Sequence, residues 1–367
     1  MPDFDVVVVG GGPAGLASAI AARRQGLHVA VLDCAEPAID KACGEGLLPD
    51  SRAALRELGV TLEAAGCVFR GIRFIGDDYT AAAVFPGEPG LGVRRLALHR
   101  ALVARAEEAG VALHWRSREI ELAPGGVRHS GGLVRSRWVI GADGQNSRIR
   151  QAAGLAATRR EERRYAFRRH YRMAPWTDYV EVYWGRQSQI YVTPVGPTQI
   201  GVAVISSVPQ LRVDAALAEF PALAARLRHA VPSSLERGAL TVSRSLRAVQ
   251  RGHVALVGDA SGSVDAITGE GLGLAFRQAL ALGPALAHGD LNVYQAAHDR
   301  LSRVPRGMDR ALLMVAKHAG LRRRVLHTLA LNNPLFERLL SVHVGARGPL
   351  QIGVDKVLQL GWRILTV

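Results

Sequence analysis

Four consecutive valines, Val6 to Val9, run directly into Gly10-Gly11-Gly12-Pro13-Ala14-Gly15, and this junction constrains the fold more than any other stretch. A β-branched run with no polar alternation fits a strand buried on both faces, as in a parallel sheet. Gly10, Gly12 and Gly15 then have the spacing that turns a strand straight into a helix. The first glycine permits the tight turn, the second lets the backbone approach a pyrophosphate, and the third lets helix and strand pack closely. Pro13 and Ala14 open a helix whose unpaired N-terminal amides and dipole favour a phosphate. That helix is predicted to end near Gly26. The strand Val29 to Leu32 then carries Asp33, placed 23 residues after Gly10 where an acid accepts the hydrogens of a ribose diol.

The chain has 367 residues, 48% of them hydrophobic, enough for one large domain or two ordinary ones. Asp3 and Asp5 precede the first strand, with no basic-then-apolar leader, and no apolar run of roughly eighteen residues suggests a membrane span. Cys34, Cys43 and Cys67 form no C-x-x-C or His-paired pattern, so neither a disulfide framework nor a metal site is expected. A cytoplasmic protein is expected, with peripheral membrane contact as the variant.

The formal charge of +14 is concentrated in two stretches. Residues 159–172 hold seven arginines against Glu161 and Glu162, and residues 300–367 hold twelve basic against three acidic residues. Each reads either as solvated faces or as a docking surface for an acidic carrier or a membrane. No helix-turn-helix, zinc-finger or RNP-like pattern accompanies the charge, so nucleic acid is not expected as a partner.

Further along, Lys41-Ala42-Cys43-Gly44-Glu45-Gly46 is a loop whose glycines allow backbone to lie against a flat ligand before a helix from Ser51 to Leu58. Cys43 reads either as a small buried hydrophobe or as a thiol beside a redox ring, where Lys41 would help it ionise. Strands are predicted at Val68–Phe74 and Tyr79–Phe85, a helix from Arg94 to Gly110 with Arg95 at its head, and strands at Val111–Trp115 and Ile120–Leu122. A second buried strand delivers Gly141-Ala142-Asp143-Gly144 into a turn, where Ser147 can cap the next helix. A third, Val254 to Val257, ends in Gly258-Asp259, followed by Gly269-Glu270-Gly271-Leu272 at a Gly-rich helix start.

The Gly10–Gly15 fingerprint, Asp143-Gly144 and Gly258-Asp259, in that order over about residues 1–290, resemble the FAD-dependent aromatic hydroxylase and geranylgeranyl reductase superfamily. The resemblance implies a Rossmann-like α/β FAD-binding domain (1–70, 92–157 and 240–290), an antiparallel-sheet substrate domain (71–91 and 158–239) and a helical C-terminal region (291–367). It implies FAD, with NADPH or NADH as a transient donor. Gly12, Gly15 and Asp33 would hold the ADP half, Arg95 the centre, Asp143 the pyrophosphate region and Asp259 the ribitol. Gly269, Gly271 and Leu272 would face the isoalloxazine, with Cys43 and Gly44 also in contact with the cofactor.

Residues 165–191 hold five of the seven tyrosines on alternating strands. Tyr165, Tyr183, Trp184 and Tyr191 are the candidates for contact with an apolar or aromatic small-molecule substrate. Cys43, Glu45, Glu270 and Tyr191 are the catalytic candidates, to orient substrate or move protons. After residue 290 the pattern is helical, with Pro305 marking a first turn and Pro334 and Gly348-Pro349 later breaks. This tail either caps the pocket or lies on a membrane. The expected chemistry is monooxygenation; saturation of a C=C bond in an isoprenoid or lipid-like substrate is the alternative. The Lys41–Gly46 and Thr268–Gly271 loops resemble the geranylgeranyl reductase branch, although Tyr191-Val192-Thr193-Pro194 departs from its Tyr-Trp and Phe-Pro pattern. A halogenase ranks third, since no two tryptophans have the W-x-W spacing, and a non-catalytic flavin-binding protein is the reading from a different class.

Overall fold

A computed structural model of the chain describes residues 2–62 and 65–348. Pro349 and the basic residues Lys356 and Arg363 of the tail lie outside the described residues. The helices are α1 Pro13–Arg23, α2 Pro49–Glu57, α3 Arg95–Glu108, α4 Arg148–Ala152, α5 Val213–Leu217, α6 Pro221–Leu227, α7 Gly271–His288, α8 Leu291–Lys317, α9 Ala319–Leu331 and α10 Asn333–His343.

The first sheet is built on parallel neighbours in the order Ala112–His114, Val29–Leu32, Phe4–Val9, Gly132–Gly141, Val254–Leu256. Val8 lies between Val31 and Ile140, and Val6 to Val9 are at most 4% exposed. Full burial of a valine is worth about 1.5–3 kcal/mol, which explains why this strand reads as an unbroken apolar run. Three of these strands end in the polar turns at Gly10, Asp143 and Asp259, so all three turns lie at one sheet edge, outside the carboxyl ends of the strands where open α/β sheets take ligands.

The second sheet runs Arg237–Leu246, Thr158–Arg172, Gln199–Ser206, Ser188–Gly196, Tyr179–Trp184, Gly71–Ile75, Thr80–Val84 and is antiparallel except where Tyr179–Trp184 meets Gly71–Ile75. Between the sheets a small third one pairs Gly46–Leu47, Gly90–Val93 and Gly66–Phe69.

The structure corrects three local expectations. Val68–Phe74 is not one strand, because Gly66–Phe69 and Gly71–Ile75 belong to different sheets. The chain crosses at Arg70 and Gly71, where a Cβ on Gly71 would sit 2.0 Å from the Ala83 carbonyl oxygen. Pro305 does not open a helix, since α8 runs through it. The basic stretch 159–172 is a single strand, most of whose arginines are paired. Arg160 meets Glu162, Arg163 meets Glu161, Arg164 meets Asp265, Arg168 meets Asp40 and Arg169 meets Asp214 and Glu236.

Candidate functional site

A cavity of about 970 Å³ lies between the polar turns of the first sheet and the inner face of the second. Gly10, Gly12, Pro13, Ala14, Asp33, Cys43, Gly44, Arg95, Ala142, Asp143, Gly144, Gly258, Asp259, Gly269, Gly271 and Leu272 all line it. Gly15 does not line it; a Cβ there would fall 1.8 Å from the Gly10 carbonyl oxygen, so its part is close packing of helix on strand.

Residues from seven separate segments meet here, and four of those segments follow strands of the first sheet that end at the same edge. Asp33 accepts from the amides of Gly11, at 2.6 Å, and Ala35, at 2.7 Å, which aims its carboxylate while leaving lone pairs for a diol. Asp143 accepts from Ser147 Oγ at 2.5 Å and from the Arg148 amide at 2.7 Å. Its carboxylate thus caps α4 and fixes the turn through Gly144, where φ is +80°. Ser147 also caps α4, accepting from the Arg150 amide at 2.9 Å. Asp259 faces the cavity, and among the described residues its ion-pair partner is Lys41, 3.9 Å away. Lys41 is therefore committed to a carboxylate and not to Cys43. Burial, opposed by Arg95, pushes the Cys43 thiol above its ordinary range and keeps it protonated.

The cavity has the open backbone that a dinucleotide needs. A Cβ built on Gly12, Gly44, Gly269 or Gly271 meets nothing within 4 Å. Beside this cradle stand the carboxylates of Asp33 and Asp259, the unpartnered buried Nε of Arg95, and the N-terminus of α1. This donor and acceptor set suits the pyrophosphate, ribose and polyol of FAD.

Glu45, at the other end of the Cys43 loop, lines the cavity and is 3% exposed. One oxygen accepts from the Arg95 amide at 2.8 Å and the other meets His170 Nε2 at 2.5 Å. Arg168 donates to His170 Nδ1 at 3.0 Å and to Asp40 at 2.5 Å. His170 Nε2 therefore carries the ring hydrogen; burial, opposed by Glu45, holds its pKa down. Glu45 sits at φ +59°, a conformation costing a non-glycine residue about 1–3 kcal/mol, and these bonds hold it there. Its position is that of an anchor for the loop. Sequence reasoning missed Asp40, Arg168 and His170, because Asp40 and Glu45 lie more than a hundred residues before Arg168 and His170 and no local pattern marks them.

The aromatic candidates divide by strand alternation. Trp184 and Tyr191 line the cavity, as do Val180 and Val182. The expectation for Tyr183 is corrected: it points to the other face, where its hydroxyl donates to Glu181 at 2.8 Å and its ring packs on Phe220. Tyr165 does not line the cavity either; its neighbours Arg164 and Ala166 take the inner face. Tyr191 donates to the Ile267 carbonyl at 2.8 Å, so its ring is cavity wall while its hydroxyl ties the sheet to the 266–268 loop.

Glu270 is likewise off the cavity. It is 1% exposed, with Arg277 3.9 Å and His343 Nδ1 3.6 Å away and neither carboxylate oxygen hydrogen-bonded. Burial, opposed by Arg277, pushes its pKa up to about 8. The native chain thus holds a proton that the unfolded chain releases. This contribution to stability is full below the ordinary value of 4.5 and is lost as the pH rises to about 8. We expect Glu270→Gln to remove that loss, gaining on the order of 3 kcal/mol relative to wild type between about pH 5 and about pH 8. Urea denaturation at both pH values checks this, and parallel curves for the two proteins would refute it.

The C-terminal helices supply an apolar part of the wall: Leu312 and Val315 of α8, Leu326 and Leu329 of α9, Phe336 and Leu340 of α10. The described helices of this tail thus supply part of the cavity wall.

The chain belongs to the FAD binding domain family, which it matches over residues 3–301, within the FAD-dependent hydroxylase and geranylgeranyl reductase superfamily. It is an FAD-dependent oxidoreductase. It is 28% identical over 296 residues to the menaquinone reductase of Mycobacterium tuberculosis, covering 73% of this chain and 72% of that one. It is 40% identical over 167 residues to digeranylgeranylglycerophospholipid reductase 1 of Methanopyrus kandleri, covering 42% and 43%. Its fold matches that of a geranylgeranyl bacteriochlorophyll reductase-like protein from Thermoplasma acidophilum, with a TM-score of 0.75 and 20% identity over 97% of this chain and 95% of that one. No helix among the described residues is long and apolar enough to cross a membrane.

Proposed function

We infer that this FAD-binding oxidoreductase saturates a C=C bond in an isoprenoid-like lipid. The observation that carries the reading is the apolar part of the cavity wall, to which α8, α9 and α10 all contribute. A compact aromatic ring would not require three helices of leucine, valine and phenylalanine, whereas a long hydrocarbon chain gains with every buried methylene, about 0.8 kcal/mol each. The names of the two reductase relatives support the same direction.

When bound, FAD supplies the hydride chemistry, with a nicotinamide as its donor. This chain's residues bind, orient and exclude water. Gly12, Asp33 and Arg95 would hold the dinucleotide, Gly269, Gly271 and Leu272 would face its ring, and Trp184 and Tyr191 would form part of the substrate wall. Cys43, protonated on the cavity wall, would place a hydrogen beside that bond. Incubating holoprotein, a reduced nicotinamide and a polyprenyl substrate under anaerobic conditions tests the reading by product mass. A product heavier by two hydrogens is expected. Turnover only with oxygen, and one oxygen atom in the product, would restore the monooxygenase.

A further inference from the structure

The cavity reaches solvent along one edge of α8. Gly307, Ala311 and Met314 each line the cavity and are also exposed, Met314 by 54%, and a Cβ on Gly307 would meet nothing within 4 Å. At 3.6 residues per turn, these positions border a basic outer face made by Arg303, Arg306, Arg310 and Lys317. Met314 lies one turn from Arg310.

The charges on this face are concentrated. Arg303 and Arg310 are exposed, as is Arg159 at the start of the neighbouring strand, and none of these or Arg306 forms an ion pair among the described residues. Burial, together with repulsion from Arg159 and Arg310, lowers the pKa of Arg306, against the pull of Asp299. The carboxylates facing the patch are Glu162, already shared by Arg160 and Lys317, and Asp299; Asp309 is turned inward onto Ser243. Like charges this close lower the stability of the free protein, and a polyanionic surface would relieve them.

We propose that the outer face of α8, with Arg159 beside it, docks on a bilayer surface bearing anionic phospholipids and sets the cavity mouth at Gly307–Met314 against the lipid. Arginines at the level of the phosphates and an apolar edge beside them is the arrangement of a peripheral membrane contact. It deepens the isoprenoid reading by naming where the chain enters, but it concerns binding and can be tested without turnover.

The test is sedimentation of the full-length holoprotein with phosphatidylcholine vesicles with and without phosphatidylglycerol. Wild type should partition onto the anionic vesicles alone. The triple variant R303Q/R306Q/R310Q should bind them on the order of 100-fold more weakly, about fivefold per arginine. Raising the salt from about 0.1 M to about 1 M, which shortens the screening length from about 10 Å to about 3 Å, should release the wild type. Equal binding to neutral and anionic vesicles, or a variant that binds like wild type, overturns the proposal. If docking fails while a detergent-dispersed substrate is still reduced, the docking surface is wrong and the reductase stands; the converse result separates them the other way.

Discussion

Replacing Gly12 by valine should give a folded, colourless protein, whereas replacing Gly15 by valine should leave little folded protein at all. Both glycines belong to one fingerprint, and the structure assigns them opposite roles. At Gly12 the backbone is extended, with φ −71° and ψ 177°, and a Cβ meets nothing within 4 Å, so valine costs the apoprotein about 1 kcal/mol or less. The space it fills is the one through which a pyrophosphate would reach the α1 amides. Loss of affinity by at least about 100-fold, more than about 2.7 kcal/mol, is expected. At Gly15 the added carbon falls 1.8 Å from the Gly10 carbonyl oxygen and 3.2 Å from Ala142, so α1 must leave its strand. Overpacking of this kind costs about 3 kcal/mol or more, a large part of a stability of about 5–15 kcal/mol. Thermal denaturation and flavin absorbance after desalting read the two effects separately. A Gly12→Val protein that still carries FAD would show that the cradle is elsewhere.

Leu329→Trp should abolish work on long substrates while leaving the cofactor untouched. Leu329 is 3% exposed and lines the cavity from α9. The extra ring would occupy space assigned to hydrocarbon, at a stability cost of about 1–3 kcal/mol. A reacting bond displaced by about 1 Å loses about 100-fold in rate, so kcat/KM for a polyprenyl substrate should fall by at least that factor. Dithionite should still reduce the bound flavin at the wild-type rate. Leu331→Trp, two residues on and 71% exposed, is the control that should change neither. Equal turnover by both variants would mean that the helical cap does not house the substrate.

The cofactor half of the site was legible because it is local. A strand, a glycine turn and a helix lie within a few residues of each other, and Gly10, Asp143 and Gly258-Asp259 each carry their own signal. The substrate half was only partly legible. Tyr183 and Trp184 are adjacent in sequence and equally aromatic, yet strand alternation sends one to each face. The arginines of residues 159–172 looked like a surface patch because Asp40, Asp214 and Asp265 are remote in sequence. Glu270 sits in a motif that suggests the site, but its side chain turns back to Arg277 and His343.

By itself, the sequence determined that buried parallel strands end in glycine- and acid-bearing turns, since backbone conformation and short-range sterics dictate those residues. Only the tertiary structure decided which side chains face the cavity, which arginines are neutralised, and that the C-terminal helices supply part of the cavity wall. Those outcomes depend on sheet register and on contacts between residues as far as 245 positions apart, as with Arg323 and Asp78, and no local pattern in a chain records them.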